Sequence, residues 1–260
     1  GRGLERFGWS PHLQNPRVTV FRQRALHVAV DSGVKMHATQ AHKIVIALDA
    51  PLHVEHAGRT FETRACWVGP HATQAMGARG RVVALFVEPG AFGTAHRLGV
   101  PEIRELSARE LDAATAVASR IAEHDGSADA AAVDELLGVL VRDRSPSLDT
   151  RVHRALELVA RDAGIDACAV ARDVGLSQER LRHVVAESTG LSLRAHRLWH
   201  RTLDAVERLA AGQPLARVAA DAGFADHAHL TRSFARFFGR APSSLDEPIR
   251  VVAPYVERFG

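Results

Sequence analysis

Apolar and polar positions in the last third of the chain repeat one helical pattern twice. Residues 170–190 and residues 215–242 each predict a short amphipathic helix, a tight turn at a glycine and a second amphipathic helix. The turn glycines, Gly175 and Gly223, lie 48 residues apart, whereas matched leucines of the second helices lie 49 apart. The extra residue falls in the turn or at the helix start, where insertions are tolerated. The pattern predicts two helix-turn-helix units in tandem.

Each unit carries a start signal for its second helix. Ser177 and Asp226 stand where an N-cap residue belongs. Two ordinary helical hairpins would show similar amphipathic faces, but the duplication with matched glycines favours a DNA-binding motif. In the second unit the predicted core residues are Leu215, Val218, Ala219, Ala222, Phe224, Leu230, Phe234, Phe237 and Phe238.

Polar side chains of the two second helices are the candidate DNA contacts. Arginine can pair with guanine, glutamine with adenine, and glutamate can accept a hydrogen bond from cytosine, while the threonine methyl can contact thymine. A solvated polar face is the alternative for any single residue. The candidates are Gln178, Glu179, Arg180, Arg182 and His183 in the first unit, and His227, His229, Thr231, Arg232 and Arg236 in the second.

One long helix is predicted between the units, from Ser192 to Ala211, with Gly212 as its stop. About twenty residues at 1.5 Å each span roughly 30 Å, close to the spacing of about 34 Å between successive faces of B-DNA. Such a spacer would hold both units on one side of a duplex. A core helix without that role is the alternative.

A string of residues in the second unit is typical of one family of regulators, and it consists of Val218, Ala219, Gly223, Phe224, Leu230, Arg232, Phe234, Phe238, Gly239 and Pro242. Over roughly residues 149–245 the chain resembles the DNA-binding domain of the AraC/XylS family of bacterial transcription regulators. The resemblance implies a cupin-type sensing barrel, helices that form a homodimer, and, for an activator, contact with RNA polymerase. It also implies that two recognition helices enter successive major grooves through Gln178, Glu179, Arg182, His183, His227, His229, Thr231 and Arg232.

The first third of the chain has a different pattern. Short β-rich runs separated by turn residues predict a small antiparallel barrel or sandwich. The runs are residues 18–21, 25–30, 43–48, 52–55, 60–63, 65–68 and 81–88. Helices are predicted at 102–124 and 128–141. With the family resemblance, the fold class is α+β: a cupin-like antiparallel β-barrel with trailing helices, then an all-α domain of two helix-turn-helix units joined by a long helix. The predicted divisions are 1–141 for sensing and dimerisation, 142–148 for a linker, 149–245 for DNA binding, and 246–260 for a tail.

Histidines are the candidate ligand-binding residues of the barrel. A cupin barrel can gather histidines around a metal, and six fall near the predicted strands: His37, His42, His53, His56, His71 and His96. Their spacing differs from that of metal-binding cupins, and Gln74 stands where a family histidine is expected. We therefore predict no metal and no cofactor, and a small organic effector instead. Its candidate lining residues are His37, His42, Trp67 and His71.

An apolar stripe on the second predicted helix has two interpretations. Val133, Leu136, Leu137 and Leu140 repeat at helical spacing. The stripe suits either a partner helix or the protein's own barrel, and only the family resemblance favours a dimer.

Composition and charge limit the classes of function that remain possible. The 260-residue chain is 46% hydrophobic, and its net charge of +3 arises wholly from residues 149–242. No apolar stretch is long enough to cross a bilayer, no secretory signal is recognised, and the separated Cys66 and Cys168 suit a reducing cytoplasm. No catalytic motif is found, so an enzyme is not predicted. We predict a cytoplasmic, effector-responsive transcription regulator that binds double-stranded DNA; the alternative is a cupin-type metal-dependent enzyme or metal sensor.

Overall fold

The computed structural model describes residues 16–21, 24–88, 102–124, 126, 129–141, 148–244 and 248–252. Most of the predicted linker, residues 142–147, and His96 lie outside these described residues. The strands are β1 (Arg17–Phe21), β2 (Arg24–Val30), β3 (Gly33–Ala38), β4 (His42–Ala47), β5 (Leu52–His56), β6 (Arg59–Thr63), β7 (Ala65–Val68), β8 (Thr73–Gly77), β9 (Arg81–Val87), β10 (Ile103–Glu105) and β11 (Ile249–Val251). The helices are α1 (Ala108–Glu123), α2 (Asp129–Val141), α3 (Thr150–Arg161), α4 (Ala167–Asp173), α5 (Gln178–Thr189), α6 (Leu193–Ala210), α7 (Leu215–Asp221) and α8 (His227–Phe238).

The amino-terminal strands form two sheets. The larger has the order β10-β7-β4-β9-β2-β1-β11 and the smaller the order β3-β8-β5-β6. All pairs are antiparallel except β1 with β11. The predicted cupin-like α+β architecture is confirmed, but the described strands do not close into one hydrogen-bonded barrel, because each sheet keeps its own edges.

Two strands of the smaller sheet, β3 and β8, were not predicted from the apolar pattern. Much of β3 is exposed, and β8 carries Thr73, Gln74 and Gly77 among its five residues, so neither shows a strong β-rich run. The helix predicted from residue 102 begins later: β10 comes first, and Ser107 then caps α1 in a capping box with Glu110.

Helices α1 and α2 cover the outer face of the larger sheet. Val133, Leu136 and Leu140 are buried there in a cluster that also contains Ile44 and Leu85. The apolar stripe of α2 therefore packs on the protein's own sheet, which is one of the two interpretations of its spacing. Among the described residues, no helix is long and apolar enough to cross a membrane.

The carboxyl-terminal helices form the two predicted helix-turn-helix units, α4–α5 and α7–α8. Helix α6 joins them and keeps the predicted ends, since Ser192 is its N-cap and Ala211 its C-cap. The predicted N-caps are also confirmed: Ser177 accepts a hydrogen bond from the N–H of Arg180, and Asp226 accepts one from the N–H of His229.

Candidate nucleic-acid interface

The turn of each unit is fixed by a glycine with left-handed backbone. Gly175 has φ of 66° and Gly223 has φ of 75°, a region that glycine enters without steric penalty. Both residues lie between a seven-residue helix and the N-cap of the following helix. The matched glycines of the sequence therefore mark equivalent turns, and each turn sets the angle between a supporting helix and α5 or α8.

Helix α5 buries its apolar side and exposes four of its five candidates. Leu181, Val184 and Val185 are buried, whereas Glu179, Arg180, Arg182 and His183 are exposed. Gln178 is half-buried, and its amide nitrogen contacts Cys168 Sγ on α4. His183 also lies 3.6 Å from Glu187 one turn along the helix. The exposed face therefore holds two arginines with donors available to DNA.

Helix α8 exposes three candidates and partly covers two. His227, Arg232 and Arg236 are exposed. The His229 ring packs edge-on to Phe224, with centroids 5.3 Å apart, and the Thr231 hydroxyl donates to the carbonyl of His227 at 2.8 Å. Both of these half-buried side chains already have partners within the unit, so the arginines are the more available donors of this face.

Two arginines of α6 form hydrogen bonds with the two units. The Arg197 guanidinium donates to the carbonyls of Ala163 and Gly164, each at 3.1 Å, in the loop that precedes α4. Four residues later, Arg201 donates to the carbonyl of Gly223 at 3.1 Å in the second turn. At 1.5 Å per residue the helix is about 27 Å long. It holds the two units at a fixed separation on one rigid element.

This arrangement agrees with comparisons to known proteins. A family profile described as a helix-turn-helix domain matches residues 170–247. The arabinose operon regulatory protein of Escherichia coli (strain K12) is 31% identical over 102 residues, which cover 38% of this chain and 35% of that protein. Its counterpart in Salmonella typhimurium is 30% identical over 111 residues, covering 41% of this chain and 40% of that protein. These matches support the predicted resemblance to AraC/XylS regulators over the helix-turn-helix part of the chain.

The match to these curated relatives spans only about two fifths of their length. Over a longer stretch, the crystal structure of ToxT from Vibrio cholerae O395 superposes with a TM-score of 0.51 at 12% identity, covering 85% of this chain and 95% of that one. At this low identity the likeness shows a shared fold alone, and it extends across both the two-sheet part and the helical part.

The aromatic end of α8 packs on the amino-terminal sheets. Leu230 lies in the core of its own unit with Val218 and Phe224, but Phe237 and Phe238 belong to the cluster between the two sheets. Phe238 meets Phe86 of β9 edge-on at 5.1 Å between centroids. The sequence correctly predicted these aromatic residues as buried, but their period along the helix could not identify what covers them.

A buried charge cluster also joins the two-sheet part of the chain to α6. Oε1 of Glu88, directly after β9, lies 3.2 Å from His196 Nδ1 and 3.2 Å from His200 Nε2, both on α6. Burial alone would raise the pKa of Glu88, but His200 and His196 outweigh it and hold that pKa well below the usual range. The carboxylate therefore stays charged between the domains. Glu88 and His196 lie 108 residues apart in the sequence, so no local pattern could identify them as a pair.

The junction contains a small cleft. Strands β1, β2 and β9 form one wall, and α6 and the end of α8 form the other. Most of its lining is apolar, and a histidine and an arginine complete it. The lining residues are Val18, Ala25, Leu26, His27, Phe86, Val206, Phe234, Phe238 and Arg240.

The four effector candidates do not come together. His42 and Trp67 form a pair, with Trp67 Nε1 donating to His42 Nδ1 at 3.1 Å, and Trp67 faces the layer of α1 and α2. His37 lies on β3 of the other sheet, where its ring nitrogen is 3.2 Å from Gln74 Nε2. His71 is an exposed turn residue with φ of 69°. The expectation that they line one cavity is wrong, because alternate residues of a strand face opposite sides of the sheet.

The other two described candidates, His53 and His56, are also apart from this group. His53 pairs with Glu62 at 3.1 Å, and His56 lies 3.6 Å from Glu102. Within the part of the chain that the structure describes, no three potential metal ligands converge on one point.

Proposed function

We propose that this chain is a transcription regulator that binds two successive major grooves of double-stranded DNA through α5 and α8, and that a small molecule controls it. The observation that carries this proposal is the pair of exposed arginine faces on two duplicated units, both fastened to α6. The positive excess of residues 149–242 supports a phosphate-binding role for the same part of the chain. The proposed reading residues are the ten candidates, with the four exposed arginines of α5 and α8 as the principal ones.

The domain junction is the proposed place of effector action. A structure of ToxT from Vibrio cholerae strain SCE256 is of the protein bound to an unsaturated fatty acid. In this chain the junction is apolar and also buries Glu88 and two histidines, so a ligand there would contact both domains. We further propose residues 1–141 as the sensing domain, 149–245 as the DNA-binding domain, and a cytoplasmic homodimer that activates transcription through RNA polymerase. No observation favours the alternative, a cupin-type metal enzyme or metal sensor.

The test is a titration of variants on a DNA site, found first by footprinting the protein upstream of its own gene. Arg232→Ala should weaken binding by about 1–3 kcal/mol and relax the preference at one base pair, because a bidentate contact is lost. Arg182→Ala should do the same about ten base pairs away, one turn along the duplex.

The matched control is Arg59→Ala, which removes an exposed arginine from β6 in the other domain. It should leave the affinity unchanged. An equal loss on specific and random DNA for Arg232→Ala would contradict its role in reading sequence. If both variants perturbed one half-site, the tandem arrangement would be wrong.

A further inference from the structure

Lys43 is buried between the two sheets, and no acidic side chain in the described part of the chain pairs with it. Its side chain is 3% exposed, and it shares a face of β4 with Val45 and Ala47, which belong to the cluster between the sheets. Its one recorded hydrogen bond within the described residues is to Met76 Sδ at 3.6 Å, a weak acceptor. Burial lowers the pKa of Lys43 to about 8, and burial raises the pKa of the nearby Cys66 thiol to about 12. Cys66 is therefore neutral and supplies no counter-charge.

Gln74 adds an unpartnered acceptor to the same interior. Gln74 is 0% exposed, and its Oε1 has no hydrogen-bond partner among the residues that the structure describes. The other amide atom, Nε2, lies 3.2 Å from His37 Nε2, while His37 Nδ1 lies 2.9 Å from the carbonyl of Lys35. His37 therefore donates through Nδ1 and accepts through Nε2. Gln74 and Met76 are two residues apart on one face of β8, so the unused oxygen and the Lys43 ammonium belong to one neighbourhood.

Both unsatisfied groups reduce stability, because a buried charge or amide oxygen loses its water without a replacement. Methionine or leucine would pack at these positions without that penalty. The two groups are complementary to a single molecule that supplies an anion to Lys43 and a donor to Gln74.

The end of α8 covers this region in the present structure. A Cβ on Gly239 would come within 2.5 Å of both His37 and Val34 on β3, and the Thr39 hydroxyl donates to the carbonyl of Phe237 at 3.1 Å. Gly239 thus packs against His37, and the His37 ring is hydrogen-bonded to the Gln74 amide. Entry from this side requires the carboxyl end of α8 to move.

We propose that Lys43 and Gln74 anchor an effector site between the sheets, whose ligand is a small carboxylic acid that also carries a hydroxyl group. The carboxylate accepts from Lys43 Nζ, and the hydroxyl donates to Gln74 Oε1. Occupancy of the site competes with docking of α8. This inference rests on the proposed function, because it names the class of effector that the regulator senses.

The first arm of the test concerns the ligand-free protein. Lys43→Met should raise the midpoint of thermal unfolding by about 2–4 °C, since it removes an uncompensated buried charge. The chain has one other lysine, Lys35, which is exposed, so Lys35→Met is the matched control and should leave the midpoint unchanged. A lower midpoint for Lys43→Met alone would show that Lys43 serves the fold, and would overturn the proposal.

The second arm measures binding of named probes by isothermal titration: salicylate, 4-hydroxybenzoate and 3-hydroxydecanoate, each with its primary amide. At least one acid should bind the parent protein and Lys35→Met, with affinity at least about tenfold weaker for Lys43→Met and for the amide. Gln74→Leu should weaken the hydroxy acid more than the same acid without its hydroxyl. Binding of no acid in the set, or equal binding by Lys43→Met, would overturn the site.

A DNA titration of the same proteins separates this inference from the function on which it rests. Acid binding that depends on Lys43, in a protein without sequence-specific DNA binding, would support the site and refute the regulator. Sequence-specific DNA binding without acid binding would support the regulator and refute the site.

Discussion

Glu88 joins the two domains through a single carboxylate oxygen. Oε1 accepts from His196 and from His200, and all three side chains are buried. A buried carboxylate is stable only with such compensation. Removing one of the three side chains leaves the others buried without that partner. Loss of the Glu88 carboxylate should therefore be costly at this interface.

Glu88→Gln should destabilise the protein at pH 7 by about 3 kcal/mol, because it removes the charge that the two histidines compensate. The pKa of Glu88 is lowered in the folded state, so its stabilising contribution is present above the unfolded value of about 4.3 and is lost as the pH falls further. The stability difference between parent and variant should therefore narrow below about pH 4.3.

Urea unfolding of parent and variant at pH 7 and pH 3.5 measures this difference. Glu55→Gln, an exposed glutamate of β5, is the control and should follow the parent at both values. A gap that widens in acid would contradict the assigned role of the carboxylate.

At the scale of elements, the sequence predicted which helices and strands exist better than what they contact. The caps Ser177 and Asp226 and the ends of α6 are local signals, set by residues within one turn of the helix end, and they were predicted correctly. The apolar period of α8 predicted a buried face. It could not distinguish the core of its own unit, where Leu230 lies, from the sheets that cover Phe237 and Phe238.

Strand β11 has no local signal, because its three residues derive their structure from β1. It pairs in parallel with Val18–Val20, and the N–H of Val252 donates to the carbonyl of Val20 at 3.1 Å. The segment after the second unit thus returns to the amino-terminal sheet and lies against α6. From sequence this tail had no interpretation, since the pairing partner is more than two hundred residues away.

A chain shortened after Ser244 should lose about 2 kcal/mol of stability, since a few ladder hydrogen bonds contribute about 0.5–1.5 kcal/mol each. It should also expose the edge of β1. The matched control is a chain shortened after Val252, which keeps β11 and should unfold like the parent. Urea unfolding checks the loss, and equal midpoints for the two shortened chains would show that β11 adds nothing.

At the scale of the whole molecule, the two helix-turn-helix units are not symmetric. The first unit has its own core, with Val170, Leu181 and Val185, whereas the second unit extends its aromatic residues into the other domain. Their exposed arginine faces were predictable, because an amphipathic period separates buried from exposed positions. The different restraint on each unit was not predictable, because it depends on contacts that the end of α8 makes with Val34 of β3 and with Thr39, directly after β3.

This asymmetry predicts a variant that binds a full DNA site more tightly. The carboxyl end of α8 is docked on Val34, so any adjustment of the second unit to its groove loses docking contacts. The apparent affinity for DNA is then the intrinsic affinity multiplied by the fraction of molecules in which α8 is undocked. Val34→Glu places a bulky anion beneath Gly239 and near the negative end of the helix dipole. It should raise the affinity for a full site by about tenfold, or about 1.4 kcal/mol, and leave the affinity for the half-site of the first unit unchanged.

Met36→Glu adds the same charge to the same strand at a position 48% exposed, so it should change neither affinity. Equal gains on both duplexes would indicate a nonspecific effect of the charge, and a loss on the full site would mean that the docked geometry is the one that fits DNA.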